Sequence, residues 1–108
     1  MSNEEIKGKI INIGNATFDE LVSKKNVLLI DVRDRNDYNK GHIKGAVNIP
    51  FDYFEKNVNN IPHNREIVLY CDMGNTSITC SRILARKGYV VYNLVNGLTK
   101  YKGMYYKI

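Results

Sequence analysis

The chain is predicted to fold as a three-layer α/β domain, with helices on both faces of a mostly parallel central sheet of about five strands. The runs "VLLI" (27–30), "IVLY" (67–70) and "YVVY" (89–92) are continuously apolar rather than alternating, the pattern of strands covered on both faces. Between the second and third lies "SITCSRILARKG", where Cys80, Ile83, Leu84 and Lys87 recur at helical spacing, so the order there is strand, helix, strand. The 108 residues suffice for one core and are too few for two, and residues 1–108 are expected to form a single domain.

In chain order, "KIINI" is expected as an edge strand. "NATFDELVSKK" offers Asn15 or Thr17 as a cap for a short amphipathic helix that turns Phe18, Leu21 and Val22 inward. Beyond "VLLI", "RNDYNKG" and "FDYFEKN" read as short helices, with "GAVNI" between them as a short strand ending before Pro50. The helix after "IVLY" is expected to begin at about Ser77, to carry Arg86 and Lys87 in its last turn, and to stop at Gly88. "NGLTKYKG" reads as a terminal helix packing its tyrosines, and those of the tail beyond it, on the body. Repeats, linkers and low-complexity segments are absent from the sequence.

Composition excludes several classes of function. The net charge is +5, but the 16 basic residues are scattered from Lys7 to Lys107 without the basic block of a nucleic-acid binder. Tyr101, Tyr105 and Tyr106 interleave with lysines in a way that can stack bases, yet core packing accounts for them, and no nucleic-acid partner is expected. No apolar run approaches the roughly 20 residues of a bilayer span, and "MSNEEIKGKI" has no apolar stretch of the leader type. A cytoplasmic monomer with no membrane partner is expected. Cys71 and Cys80 form neither a disulfide framework nor a C-x-x-C pair. Adding His42 and His63 yields no zinc-ligand spacing, so no metal is expected.

In open parallel sheets the working site lies beyond the carboxyl ends of the strands. Two ends qualify: "LLIDVRD", finishing on Asp31 to Asp34, and "VLYC", finishing on Cys71. Residues 72 to 77 then form a tight loop that Gly74 allows to turn. Backbone N–H groups pointing into such a loop, backed by the positive end of a helix dipole, stabilise an anion, and a thiolate at Cys71 is that anion. Thr76 and Ser77 add hydroxyl donors or a cap. Cys71 also reads as a small residue buried at a strand end. The loop composition favours the nucleophile. Cys80, on the apolar face of the helix, reads as a core thiol rather than a resolving partner.

Three segments, in order and at compatible spacing, carry a family resemblance. "LLIDVRDRNDYNKGHIKGAVNIP" (28–50), "VLYCDMGNTS" (68–77) and "VYNLVNGLTKY" (91–101) together resemble the rhodanese-like domains: an Asp-Val-Arg strand end with a Gly-His-Ile segment, a Cys-x-x-Gly-x-x-Ser loop, and a closing strand with a Gly-containing turn. Tyr101 stands where many members have Trp. The resemblance implies a sulfurtransferase in which catalytic Cys71 takes a sulfane sulfur from thiosulfate or a persulfide and hands it to a thiol or other nucleophile. Asp72, Met73, Gly74, Asn75, Thr76 and Ser77 would form the substrate-binding loop. The implied partners are a small sulfur donor and a thiol acceptor, with protein donors or acceptors among the candidates. No metal or organic cofactor is implied.

The departures bear on the substrate. Many active members carry Arg where this chain has Asp72 and Thr76. A carboxylate one residue from the nucleophile, if it points inward, opposes both thiolate formation and the approach of thiosulfate. Weak use of thiosulfate is therefore expected, with preference for a less charged persulfide or a protein donor. Asp31 and Arg33 are expected to tie loops together through a partly buried ion pair. His42 is expected to be structural, because displacement of a sulfane sulfur by a thiolate needs little proton transfer.

A phosphate-binding Cys-x₅-Arg loop is excluded, since the sixth residue after Cys71 is Ser77 and the next arginine is Arg82. Nucleotide-binding glycine motifs are absent after every strand. The remaining alternative is a rhodanese-like module that binds an acidic protein or carries sulfur passively, favoured by Asp72, Thr76 and the Tyr/Lys tail.

Overall fold

The three continuous apolar runs lie side by side at the middle of the sheet in the computed structural model, which describes residues 8–107. The chain runs β1 (Lys9–Ile13), α1 (Asn15–Val22), β2 (Val27–Asp31), α2 (Arg35–Lys40), β3 (His42–Ile43), β4 (Val47–Asn48), α3 (Phe51–Asn57), β5 (Glu66–Tyr70), α4 (Asn75–Arg86), β6 (Val90–Leu94) and β7 (Tyr106–Lys107). Short 3₁₀ turns follow α3 at Val58–Asn60 and β6 at Leu98–Lys100. Five strands pair in the order β1-β6-β5-β2-β4, all parallel. Among the described residues no helix is long and apolar enough to cross a membrane.

Continuous apolar strands are required because each face of the sheet has its own core. Ile67 and Leu69 of β5 face Phe54, Cys80 and Leu84, from α3 and α4. Val68 and Tyr70 face the other way, onto Phe18 and Leu21 of α1. Successive side chains of a strand point to opposite faces, so a strand sandwiched between two helical layers reads as a near-continuous apolar run, with buried polar exceptions such as Asp31 and Asn93. α4 presents Ser77, Cys80, Ser81, Leu84 and Ala85 to its core while Lys87 is exposed, so the inward stripe lies slightly off the one read from spacing. The helix ends in a Schellman motif: the Gly88 N–H donates to Ala85 O and the Tyr89 N–H to Leu84 O, with Gly88 at φ +96°.

Three expectations are corrected. α4 begins at Asn75, two residues before Ser77, because Gly74 takes a left-handed φ of +99° and completes the turn early. α1 starts on Asn15 itself, with Gly14 as its N-cap, and the Asn15 amide donates instead to Lys100 O. Among the described residues no terminal α-helix forms. After the single turn at Leu98–Lys100 the chain extends, and β7 pairs antiparallel with β3. The tail is drawn out by Tyr101, whose ring packs edge-on to Phe18 and whose hydroxyl donates to Asp19 while accepting the Tyr105 N–H.

The turn after β6 is built onto the end of β5. The Leu98 N–H donates to Cys71 O at 3.0 Å and the Thr99 N–H to Asp72 O at 2.9 Å. Gly97 sits at φ +58°, ψ −157°, a region essentially reserved for glycine, and a Cβ there would lie 2.4 Å from Cys71 O. Gly97→Ala is expected to lower stability by about 1–3 kcal/mol from backbone strain, with the clash adding to it, as a drop in the urea midpoint.

Burial pushes the Cys80 thiol up to about 12 from 9.0, and burial with the Asp19 contact pushes the Tyr101 hydroxyl up to about 12 from 10.0. Both stay neutral in the fold at pH values where the unfolded chain ionises. Their contribution is complete below pH 9 and is lost as pH climbs toward 12. Urea midpoints should stay level from about pH 7 to 9 and then fall, with Tyr101→Phe flattening the upper part of the decline.

Candidate functional site

β5 and β2 run in register, with Asp31 opposite Tyr70, so "LLID" and "VLYC" end at the same edge of the sheet. Cys71 follows β5 directly, and only three residues separate its sulfur from the first turn of α4. Gly74 makes this turn possible. Its left-handed backbone swings the chain back so that the Gly74 N–H donates to Cys71 Sγ at 3.1 Å and the Ser77 N–H donates to it at 3.2 Å. Ser77 Oγ lies 3.4 Å from the sulfur, accepting from the thiol, and its own hydroxyl donates to Gly74 O. Asn75 and Thr76 open α4, and the first amides of a helix have no acceptor within it. Cys71 is therefore buried yet surrounded by donors on one side.

The expected loop residues divide into two groups. Gly74 and Ser77 hold the sulfur, whereas Asp72, Met73, Asn75 and Thr76 line a cavity of about 320 Å³ that reaches Cys71. Asp72 lies at the rim. Its side chain is 57% exposed, and Oδ1 points toward Arg33 Nη1 at 3.5 Å. Cys80 lies in the core beneath, its thiol held neutral chiefly by burial.

Across the cavity, Arg33 is clamped to the fully buried Asp31. Nε reaches both carboxylate oxygens at 3.1 Å, Nη2 donates to Oδ2 at 2.8 Å, and the Arg33 backbone N–H donates to Oδ1 at 2.9 Å. Nη2 also donates to Gly41 O at 2.7 Å, tying the end of α2 to the same group. Burial works against the guanidinium charge, but the Asp31 carboxylate outweighs it and holds Arg33 above its ordinary range. The tie between loops expected at this strand end is thus present. His42 lies outside the cavity, stacked on Tyr38 with Nδ1 2.8 Å from Tyr38 O.

Sequence reasoning missed the opposite wall. Asp34, Asp37, Phe51 and Asp52 also line the cavity, contributed by the starts of α2 and α3. Asp34 closes the strand end already marked as a candidate, but nothing local marks Asp37, Phe51 or Asp52, because aspartate in a first helical turn is ordinary. The Asn96-Gly97 pair did signal a turn, but not that its amides would hold the backbone of Cys71 and Asp72.

Comparison with known proteins identifies the family. The chain matches the Rhodanese-like domain family over residues 15–104. It is 35% identical over 75 residues to the tRNA sulfurtransferase of Desulfurococcus amylolyticus, covering 69% of this chain and 15% of that protein. It is 34% identical over 82 residues to the putative sulfur carrier protein YrkF of Bacillus subtilis, covering 75% of this chain and 44% of that protein. The chain thus spans less than half the length of either relative. The crystal structure of a rhodanese-like domain protein from Staphylococcus aureus shares the fold with a TM-score of 0.79 at 24% identity, over 91% of this chain and 97% of that one. With the family match running from the first helix past the turn that closes over Cys71, the chain belongs to the rhodanese-like domain family.

Proposed function

We propose that this protein is a sulfurtransferase that carries a sulfane sulfur on Cys71. The observation that supports it most is the pair of backbone amides donating to a cysteine sulfur beside an open cavity. Relatives named as a tRNA sulfurtransferase and a putative sulfur carrier point to the same chemistry.

In the first step the Cys71 thiolate attacks the outer sulfur of the donor. The Cys71 Sγ–S bond forms, the donor's S–S bond breaks, and its electron pair leaves as a thiolate from a persulfide or as sulfite from thiosulfate. In the second, an acceptor thiolate attacks that outer sulfur and Cys71 leaves as thiolate. No net oxidation occurs, and splitting the transfer at a covalent intermediate yields ping-pong kinetics. The Gly74 and Ser77 amides stabilise the sulfur anion before and after each displacement. The Asn75 and Thr76 amides, which have no acceptor within α4, suit the outer sulfur of the persulfide, one bond further out.

The second reading is a module that holds sulfur or binds a partner with little turnover. Asp72 at the rim, in place of a cation, is the feature that favours it.

Intact mass after incubation with thiosulfate or a glutathione persulfide separates the two readings. The expected result is a gain of one sulfur, absent in Cys71→Ser and removed rapidly by an added thiol, with Cys80 unmodified because its thiol stays neutral and buried. An adduct that thiols remove only slowly, or no adduct at all, would favour the module with little turnover. For thiosulfate, Asp72→Arg is expected to raise the rate of sulfite release about tenfold at low salt by replacing a repelling charge with an attracting one. An unchanged rate would remove Asp72 as the cause of donor choice.

A further inference from the structure

The cavity that reaches Cys71 is acidic in a protein that is basic overall. Four carboxylates line it, on Asp34, Asp37, Asp52 and Asp72, while the whole chain carries a net charge of +5. Among the described residues Arg33 is the one cation lining this cavity, and it is already neutralised by the fully buried Asp31. A structural explanation accounts for part of this pattern. Asp34 is the N-cap of α2, and Asp37 and Asp52 sit in the first turns of α2 and α3, where helix dipoles favour acids. Each helix start contributes only about half a positive charge, so the starts of α2, α3 and α4 together supply roughly +1.5. Four full negative charges exceed that, and the mouth remains negative. Among the described residues no three carboxylates, thiols or imidazoles gather closely enough to hold a metal ion, so these charges act as a field across the cavity. Apolar surface stands beside them: Phe51 is 44% exposed and Met73 64%.

Resting on the sulfur-transfer reading, we propose that this rim makes Cys71 selective for sulfur carriers with positive charge around the reacting sulfur. The chemical class is a persulfide or thiol flanked by ammonium or guanidinium groups, as in a small aminothiol or a cysteine between lysines or arginines. The site itself rests on the amide-held Cys71 sulfur and its cavity. The carboxylates decide what approaches it. Aliphatic stems of lysine or arginine fit against Phe51 and Met73 while their charged ends meet Asp34, Asp37, Asp52 and Asp72. Thiosulfate, with two negative charges, and glutathione persulfide, with net negative charge, meet a repelling field, and so does the phosphate backbone of an RNA.

Two measurements test this on the full chain. The first reads the field at Cys71 without relying on sulfur transfer: alkylthiolation rates with trimethylammonium-ethyl and sulfonato-ethyl methanethiosulfonate, each normalised to its rate with 2-mercaptoethanol. The cationic reagent is expected to be favoured about tenfold at low ionic strength. The preference should shrink in 0.5 M salt and in the triple variant Asp34→Asn, Asp37→Asn, Asp52→Asn, which leaves Asp72 and the cysteine loop intact. Equal normalised rates, or a preference unchanged in the triple variant, would overturn the proposal.

The second measurement compares Cys71 loading by aminoethyl persulfide, by a Lys-Cys-Lys peptide persulfide and by glutathione persulfide. Both cationic donors should load at least several-fold faster than glutathione persulfide, and the faster of the two identifies whether the source is a small aminothiol or a protein segment. Faster loading by glutathione persulfide would overturn the donor assignment. If no persulfide loads Cys71 while the reagent preference persists, the sulfur-transfer reading fails and charge selection at Cys71 stands.

Discussion

Asp31 carries its carboxylate into the domain with no exposed surface, and Arg33, two residues along, meets both of its oxygens with a guanidinium fork. A charge buried this deeply is tolerable only with a partner and filled hydrogen-bond positions, and removing one member of such a pair costs about 3–5 kcal/mol. The arrangement therefore acts as a fixed point. From it the guanidinium reaches Gly41 O at the end of α2 and Asp72 in the cysteine loop, and it lies 5.9 Å from the centre of the Tyr70 ring. Asn48 adds a further tie, donating from one amide to the backbone oxygens of both Asp31 and Arg33. The ends of β2 and β4, the loop before α2 and the rim of the cysteine loop are thus referred to one buried ion pair.

Cys71 depends on that frame in a second way. Its sulfur is oriented from below by the cradle at the start of α4 and from behind by the turn at Leu98–Lys100, whose amides hold Cys71 O and Asp72 O. Side-chain atoms contribute little to the cradle; backbone amides dominate it, and backbone position is set by Gly74 and Gly97 adopting conformations that residues with side chains rarely take. A site made from backbone tolerates wide variation in its side chains. This is how Asp72 can stand where many rhodanese-like domains have arginine without disturbing the two amides on the sulfur.

The two levels of electrostatics differ in range. Amide dipoles act over one hydrogen bond and favour a sulfur anion wherever it sits between Gly74 and Ser77. The carboxylates of α2, α3 and the loop act over the width of the cavity and weigh on whatever carries the sulfur in. The proposed sulfur anion and cationic carrier are compatible demands, because the amides face the first inside the cradle and the carboxylates face the second at the mouth.

Much of this was readable from the chain alone, for local physical reasons. Continuous apolar runs at Val27–Ile30 and Ile67–Tyr70 specify strands buried on both faces, Gly88 after a helical stripe specifies a stop, and Cys71 followed by Gly74 and Ser77 specifies a sulfur facing a helix start. Each of these depends on contacts within about ten residues. The tail misled because Tyr101 and its lysines are consistent with a helix until Asp19 and Phe18, some eighty residues earlier, hold Tyr101 and draw the following residues into β7. The acidic mouth was hidden for the same reason. Asp34 closes a strand end that the sequence marks, whereas Asp37 and Asp52 are ordinary helix-start acids, and the three become one electrostatic surface only when crossovers bring the starts of α2, α3 and α4 to one edge of the sheet. The sequence alone determined the strands and the Cys71 loop, because these rest on periodicity and on neighbours in the chain. The tertiary structure alone decided which charges stand around the Cys71 sulfur, because a field is the sum over residues that only the fold brings together.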